Sequence, residues 1–505
     1  MHLRKNSTRA ITTATAVALL SAASLTTAFS SEAHHKKTLT AAPLATWQTN
    51  GVVWTIEYAR GVVYVGGTFD SVRPPGAKPG EKEVVRKNFA AFDAVTGKLL
   101  PCAPAFAGGP ETIRAMKASP DGRTLYVGGS FGKVDKTGVS NVAALNTADC
   151  SLRKNFRPAM TAPVRAIATT ATSVYLGGDF GVANGQRRKH IAVFSPSGKL
   201  QPFSADIDES VLALLVVPDH KKLIVGGRFD KVNGAKEHAL VALNATTGST
   251  VNSFPGWLPQ RSSVKALARD KNNFYLGAEG EGTGIFDGRI AGRLSDGHMV
   301  WKDDCQGATQ TVLVYKNILY SGSHAHNCGT TPGGFPEHSN RQHFLANATS
   351  DGRILHWFPD TNEGIGQKQG PRALVMAGKI LWAAGEFTQV NGKPQQSLTR
   401  FAADRNAAPE TTPKLIAKTA RAGRVTLNWR ATWDRDDAEL TYRIYRDGTL
   451  VASRKQRSAE WDLPDMKYTD SVAAGSHHRY TIAVTDGKAT THRSVPLDVA
   501  ATAEK

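Results

Sequence analysis

The chain has 505 residues, of which 41% are hydrophobic and 21% are charged, and this composition excludes wholesale disorder. Lysine and arginine total 62 against 43 acidic residues, so the formal net charge is +19. Four cysteines are too few for a fold built on disulfides, and 47 glycines with 39 aromatic residues, 19 Phe, 11 Tyr and 9 Trp, against 6 methionines favour strands and turns over helices.

The beginning of the chain, residues 1–33, predicts a secretory signal peptide. Basic residues precede a weakly apolar run, Ala10–Ala28, and Ser31–Ala33 places small residues at a cleavage site. A membrane anchor is the less favoured alternative, because the run is diluted with serine and threonine. No cysteine precedes Cys102, which argues against a lipid anchor. We therefore expect a secreted, extracellular chain with no membrane span.

Export permits disulfide bonds, and the four cysteines allow three connectivities. Cys102 and Cys150 fall at the ends of neighbouring repeats, and Cys305 and Cys328 are 23 residues apart in the sequence. We favour the pairs Cys102–Cys150 and Cys305–Cys328. Metal binding by the cysteines is the weaker alternative, because no Cys-x-x-Cys spacing occurs.

An internal repeat dominates the chain. Its core is an aromatic or apolar residue, a pair of small residues, one variable residue and usually Phe. The copies are Tyr64–Phe69, Tyr126–Phe131, Tyr175–Phe180, Ile224–Phe229 and, in degenerate form, Tyr275–Gly280, Tyr320–Ala325 and Trp382–Phe387.

Each repeat contains four short strand-like runs, and the best-conserved copies of the motif also contain an Asn-Gly turn. This order of strands and turns is typical of a propeller blade. The sequence predicts an all-β fold with a seven-bladed β-propeller over residues 40–404. A solenoid is disfavoured, because it would leave uncapped sheet edges. The last unit lacks a fourth run, and Leu44–Asn50, anchored by Trp47, is predicted to supply it and close the ring.

A linker over residues 405–413 is followed by a different pattern over residues 414–500. Val425–Trp429, Leu440–Tyr445 and Tyr480–Val484 alternate polar and apolar residues between turns, which indicates a β-sandwich. These runs resemble those of a fibronectin type III domain. The resemblance makes Tyr480 its corner tyrosine.

Over nearly all of residues 44–500, the chain resembles secreted actinobacterial proteins that join Tyr-Val-Gly-Gly-x-Phe-x-x-Val-Asn-Gly propeller repeats to a fibronectin type III-like sandwich. The resemblance implies the fold and export. It implies no activity.

Histidines cluster where the sixth repeat departs from its pattern. His324 and His326 are two residues apart, so they share one side of an extended strand. His338 and His343 could complete a three-nitrogen site suited to zinc or copper. The favoured alternative is a loop closed by a disulfide in which the histidines form hydrogen bonds. No other cofactor is expected.

The residue after each small pair is polar and varies among the repeats. Asp179, Arg228, Glu279, His324 and Glu386 are candidate binding residues in a polar ring. The alternative is a set of solvated or ion-paired strand residues, because second strands lie outside the central channel.

The other motifs do not indicate a phosphate-binding, calcium-binding or catalytic site. Gly277–Gly284 lacks the Gly-Lys-Ser/Thr of a phosphate loop. Asp434–Asp437 lacks the glycine and distal glutamate of a calcium loop, which favours a polar turn. No nucleophile elbow or zinc-protease helix occurs, so no catalytic residue is assigned.

The positive charge of an exported chain points to an anionic cell-wall polymer, a polysaccharide or a surface protein as partner, rather than to nucleic acid. The first hypothesis is therefore a secreted binding or scaffold protein. The second is a secreted glycoside hydrolase or polysaccharide lyase with its site at the propeller centre, near the fifth and sixth blades.

Overall fold

The structure is a computed structural model that describes residues 38–110 and 112–502. The predicted signal peptide, residues 1–33, lies outside the described residues. Within them the chain is all-β, and the one helical element is a single 3₁₀ turn, Pro218–His220. No helix of the described part has the length and apolar character needed to cross a bilayer.

Seven antiparallel sheets share one plan, in which a first strand pairs with a second and the second pairs with a third. We number them in chain order, and sheets 4 and 5 carry a fourth strand. Their strands are Val52–Ala59, Val62–Thr68 and Phe89–Asp93 in sheet 1; Thr112–Ala118, Thr124–Ser130 and Val142–Asn146 in sheet 2; Val164–Thr169, Val174–Gly178 and Ile191–Phe194 in sheet 3; Val211–Val217, Lys222–Gly227, Leu240–Asn244 and Thr250–Ser253 in sheet 4; Ser262–Arg269, Asn273–Gly280, Arg289–Arg293 and Met299–Asp303 in sheet 5; Thr309–Tyr315, Ile318–Ala325 and Gln342–Ala348 in sheet 6; and Pro371–Ala377, Ile380–Gly385 and Leu398–Ala402 in sheet 7.

Short strands occur in the loops, most of them between the second and third strands of a sheet and two of them before a first strand. Three of them are two-residue hairpins built on Asn-Gly turns, in which both turn residues have positive φ, as at Asn184 and Gly185. The short strands are Gln48–Thr49, Ser71–Arg73 and Val84–Val85; Phe106–Ala107, Lys133–Val134 and Thr137–Gly138; Val182–Ala183 and Gln186–Arg187; Lys231–Val232 and Ala235–Lys236; and Gln389–Val390 and Lys393–Pro394.

The first strands of successive sheets are neighbours, and the first strand of sheet 7 lies beside that of sheet 1. The sheets therefore follow one another around a closed cycle, which is a β-propeller-like arrangement. Apolar side chains from each sheet pack against the next; one such cluster joins Val53 and Phe92 of sheet 1 to Trp382 and Ala384 of sheet 7.

In sheets 1 to 6 the small pair begins with a glycine, which allows the next sheet to approach. A Cβ atom built on Gly128 would lie 2.6 Å from Val164 Cγ1, and one on Gly177 would lie 2.5 Å from Val211 Cγ1. Each of these valines is in the first strand of the following sheet. Glycine is needed here because side-chain atoms of the neighbouring sheet occupy the space that a methyl group would fill.

We predict that Gly128→Ala destabilises the chain by about 1–3 kcal/mol, because the added methyl group overpacks the contact with Val164. Urea-induced unfolding would measure the loss. Gly181→Ala is the matched control, since a Cβ atom there meets nothing within 4 Å. Equal effects of the two substitutions would contradict the packing explanation.

The N-terminal segment completes sheet 7, as expected, but with a different stretch of chain from the predicted Leu44–Asn50. The backbone N–H of Thr40 donates to Ala402 O over 3.1 Å, and that of Leu44 donates to Arg400 O over 2.8 Å. Residues 40–44 thus lie along the third strand of the sheet. Trp47 packs instead against Phe92, with their ring centroids 6.4 Å apart.

We predict that a chain beginning at Ala45 melts well below one beginning at Thr38. The shorter chain loses the hydrogen bonds to sheet 7 and the buried side chains of Leu39 and Ala41. Thermal unfolding followed by circular dichroism would measure the difference. Coincident melting curves would show that residues 38–44 do not close the ring.

The C-terminal strands form two facing sheets with one apolar core. Three strands make one sheet and four make the other. The core joins Trp429 of the first sheet to Tyr442 and Tyr480 of the second. The strands are Ile416–Arg421, Arg424–Arg430 and Asp465–Ser471 in the first sheet, and Glu439–Arg446, Thr449–Arg457, His477–Thr485 and Leu497–Ala500 in the second.

The sandwich docks on the loops of sheet 6 through an aromatic contact. Trp461 packs against Phe335 and Phe358, at centroid distances of 4.9 and 4.8 Å. The backbone N–H of Phe358 donates to the carbonyl of Arg435 over 2.8 Å. The departure of the sixth repeat from its pattern therefore builds a platform for the sandwich.

Both favoured disulfides are present in the structure. Cys102–Cys150 joins the segments that follow the third strands of sheets 1 and 2, and Cys305–Cys328 joins the end of sheet 5 to the loop after the second strand of sheet 6. Each bond therefore ties neighbouring sheets together. Two disulfides fit an oxidising compartment.

Candidate functional site

A β-bulge interrupts the first strand of all seven sheets at the same place. One residue in each strand has no partner in the second strand, and such bulges commonly re-aim a side chain. The bulge residues are Trp54, Arg114, Arg165, Leu212, Lys265, Gln310 and Arg372.

The second residue of the small pair lies opposite the bulge. A Cβ atom on Gly129 would collide with the carbonyl oxygen of Thr112, and one on Gly178 would collide with that of Pro163. The bulge thus brings the first strand close to its partner strand, and glycine is the residue that tolerates this approach. The repeated glycine pair and the repeated bulge are parts of one local structure.

Bulge side chains reach the variable residue that follows the small pair of the same sheet. Arg165 Nε lies 2.7 Å from Asp179 Oδ2, and Lys265 Nζ lies 3.1 Å from Glu279 Oε1. The indole N–H of Trp54 donates to Thr68 Oγ1 over 3.0 Å. These variable residues are thus ion-paired or hydrogen-bonded, as the alternative interpretation expected, and we refer to them and the bulge residues together as the ring.

Arg372 and Glu386 form the most buried of these pairs. Arg372 Nη2 lies 3.1 Å from Glu386 Oε2, and the two side chains are 7% and 0% exposed. The carboxylate also accepts the backbone N–H groups of Gln367 and Gln369, each over 2.8 Å. Two backbone N–H groups and the guanidinium therefore compensate the buried carboxylate, because a buried charge is costly unless it is paired and hydrogen-bonded.

Hydrogen bonds link the pairs across sheets. Arg372 Nη1 donates to Gln310 Oε1 over 2.6 Å, and Gln310 Nε2 donates to Glu279 Oε2 over 2.7 Å. Ser210, which precedes the first strand of sheet 4, donates to Asp179 over 2.8 Å. Side chains of sheets 5, 6 and 7 therefore form one connected network.

Arg114 differs from the other ring cations in its partner. Its guanidinium carbon lies 4.1 Å from the Trp54 ring centroid, and that of Arg372 lies 5.1 Å from the same centroid. Among the residues that the structure describes, no carboxylate forms an ion pair with Arg114. Burial, with the positive charges of Arg165 and Arg372, lowers its pKa to about 10.

The ring carries an excess of positive charge. Burial lowers the pKa of Lys265. The negative charge of Glu279 partly offsets this effect, and the positive charge of the exposed Arg228 lowers the pKa further. In the described part of the chain, the ring cations are Arg114, Arg165, Arg228, Lys265 and Arg372, and the ring carboxylates are Asp179, Glu279 and Glu386. The arrangement suits an anionic ligand.

Two ring carboxylates, Glu279 and Asp179, have pKa values below the usual range. Burial raises the pKa of Glu279, but the charge of Lys265 and the hydrogen bonds from Gln310 and Lys265 outweigh it, so the pKa lies below its usual value. The pKa of Asp179 is lowered in the same way, because hydrogen bonds from Arg165 and Ser210 outweigh burial.

The four histidines of the predicted metal site have different partners. His326 pairs with Glu337 over 2.9 Å, His343 with Asp360 over 3.0 Å, and His338 stacks on Trp461 of the sandwich. His324 accepts the N–H of Ala308, and burial lowers its pKa to about 4, so it is neutral at neutral pH. The structure does not bring the four imidazoles together as a three-nitrogen site.

Sequence reasoning named Asp179, Arg228, Glu279, His324 and Glu386 but missed the bulge residues. A signal was available: in sheets 1, 3, 5, 6 and 7, the bulge residue lies 14 positions before the residue after the small pair. A polar or aromatic residue inside an otherwise apolar run, such as Arg165, marks the position.

A second concavity lies beside the Cys102–Cys150 disulfide. It has a volume of about 520 Å³ and includes Tyr64, Leu100, Asp135 and Asp149 in its lining. The lining has two carboxylates and no cationic side chain. It suits an anionic ligand less well than the ring does.

No family model and no curated protein matches the sequence. The solved structures that resemble the chain include one titled "Crystal Structure of Mitotic Checkpoint Complex" and that of Saccharomyces cerevisiae Sqt1. Their identities are 13% and 11%, each match covers 73% of this chain and 97% or 100% of the other, and the TM-scores are 0.45 and 0.39. Likenesses this weak carry no information about function.

We predict that Glu386→Gln lowers the free energy of unfolding by about 3 kcal/mol, because it leaves the Arg372 charge buried without its counterion. Glu363→Gln is the matched control. It removes a glutamate that is paired with Arg341 over 3.2 Å but is 41% exposed, so its cost stays below about 1 kcal/mol. Urea unfolding of both variants tests the difference, and equal costs would refute the role of the buried pair.

Proposed function

We propose that the chain is a secreted, extracellular protein that binds an anionic polysaccharide or cell-wall polymer at the ring of bulge residues. The observation that carries the proposal is Arg114, held over Trp54, flanked by Arg165 and Arg372, and ion-paired with no described carboxylate.

In this proposal the seven sheets are the blades of a β-propeller, and the C-terminal sandwich is a fibronectin type III domain. Support comes from the cyclic order of the first strands and from the alternating burial of strands such as Arg424–Arg430. The hydroxyl of Tyr480 is buried and donates to Asp470 Oδ2 over 2.8 Å, ten residues upstream. Secretion is supported by the two disulfides and the predicted signal peptide.

The partner of Arg114 determines what the guanidinium can do. A carboxylate would fix the side chain but would also neutralise it. The Trp54 ring fixes it through a cation–π contact and leaves its full charge for a ligand. An arginine prearranged in this way can bind a carboxylate, sulfate or phosphate group through two parallel hydrogen bonds. The neighbouring cations add attraction over a wider area.

The observations favour binding over hydrolysis. A glycoside hydrolase needs one carboxylic acid that stays protonated near neutral pH and a second carboxylate facing it. Glu279 and Asp179 have lowered pKa values and are each bound to a cation, so neither can serve as that acid. Among the described ring residues, the carboxylates pair with cations and so reduce the repulsion between them.

We predict that the full chain binds polygalacturonate, that neutral dextran does not bind, and that the affinity falls steeply as salt is raised. Arg114→Gln should weaken binding by about tenfold or more, since a hydrogen bond to a charged group contributes about 1.5–3 kcal/mol. Titration calorimetry at low and high salt measures both effects.

Arg187→Gln is the control for this experiment. Arg187 lies in an exposed basic run and is 74% exposed, so its loss should change the affinity little. An equal loss in both variants would move the binding surface to the outer basic residues. Failure of every anionic polymer to bind would reject the proposal in favour of a protein partner, and shortened polymer in the reaction mixture would reinstate the enzyme hypothesis.

A further inference from the structure

The turn Asp434–Asp437 lies where three parts of the chain meet. It connects two strands of the sandwich, one from each sheet. Asp436 Oδ2 accepts hydrogen bonds from Thr40 Oγ1 over 2.7 Å and from the N–H groups of Ala41 and Ala407, over 2.8 and 3.3 Å. The turn therefore contacts both the segment that closes the ring and the segment that leads to the sandwich.

Two carboxylate oxygens of this turn are buried without a hydrogen-bond donor. Asp434 is 0% exposed, and its Oδ1 accepts the N–H groups of Asp436 and Asp437. Its Oδ2 has no partner among the described residues, and neither has Oδ1 of Asp436. A buried carboxylate oxygen with no donor is costly unless something positive lies beside it.

The nearby cations do not fill this role. Arg435 is directed to Glu410, to the carbonyl of Phe358 and to the ring of Trp433. The imidazole of His356 donates to the backbone carbonyl of Asp434 over 2.7 Å, not to its carboxylate.

We propose that Asp434, Asp436 and Asp437 bind one calcium ion at the junction between the sandwich and the ring. Each residue offers a carboxylate oxygen, and the three oxygens lie within 4.8 Å of one another. Calcium takes oxygen ligands at about 2.3–2.6 Å, so oxygens at this spacing fit around a single ion. The buried oxygens of Asp434 and Asp436 then gain the positive partner that the protein does not supply.

The position of the ion gives it a structural role. Asp436 would bind the ion with one oxygen while the other holds Thr40 and Ala41 against sheet 7. Calcium binding then stabilises the docked sandwich and the closed ring together, because the site exists in the folded chain alone. Extracellular modules typically bind calcium with dissociation constants of about 0.1–1 mM, which suits an exported protein.

The test uses the full chain after removal of divalent ions with EDTA. Calcium titration by calorimetry should give one site per chain, and calcium should raise the melting temperature by several degrees. Terbium provides a second readout, since an ion bound beside Trp433 luminesces when the indole is excited. Added calcium should displace the terbium ion and so remove this signal.

Asp434→Asn and the milder Asp437→Asn should lose the terbium signal and the calcium-dependent rise in melting temperature, with at least tenfold weaker calcium binding. Asp465→Asn, an exposed change in a neighbouring strand of the sandwich, should behave as the unchanged chain. The proposal would be overturned if calcium gave no heat of binding and the melting temperature were the same in calcium and in EDTA. It would also be overturned by an Asp434→Asn variant that is more stable in both conditions, which would mean that the carboxylates share a proton. An equal response to magnesium would overturn the assignment to calcium.

Discussion

The close approach of one sheet to the next depends, in sheets 1 to 6, on a backbone position without a side chain. At Gly128 and Gly177, side-chain atoms of the following first strand occupy the position of a Cβ atom. At Gly129 and Gly178, a carbonyl of the sheet's own first strand does so, because that strand bulges at this point. One pair of glycines therefore sets both the spacing of the sheets and the direction of the bulge side chain.

The same constraint creates the candidate binding site. A regular strand would direct alternate residues into the packing between sheets, whereas the bulge frees one residue per sheet for the centre. Cations at four of the seven positions would repel one another, and the carboxylates that follow the small pairs compensate three of them. Arg114 lies over an aromatic ring instead, and together with Arg228 it gives the ring of bulge and variable residues its excess positive charge.

The sandwich contacts the N-terminal segment that completes sheet 7. Residues 40–44 close the last sheet, and Asp436 of the sandwich holds them from outside. Trp461 fixes the sandwich to the loops of sheet 6. The histidines of this region are thereby explained as parts of an interface: His338 stacks on Trp461, and His356 donates to the Asp434 backbone.

The sequence by itself determined the local structure of this protein. The repeated Tyr-Val-Gly-Gly runs and Asn-Gly turns predict strands, hairpins and an all-β chain, because side-chain alternation and turn chemistry are local properties. The favoured cysteine pairs, one from repeat position and one from sequence separation, are the pairs in the structure. Only the tertiary structure decided the rest. Residues 40–44, rather than 44–50, close the ring, because the register of a strand depends on the distant strand that it meets.

The ring of charges and the separation of the histidines were likewise decided by the tertiary structure. A bulge appears only when two strands are paired, so Arg114 and Trp54 could not be recognised as neighbours from residues 60 positions apart. His324 and His343 lie on neighbouring strands of sheet 6, yet their imidazoles have different partners, the N–H of Ala308 and the carboxylate of Asp360. Burial determines which charges remain uncompensated, and burial is a property of the whole fold.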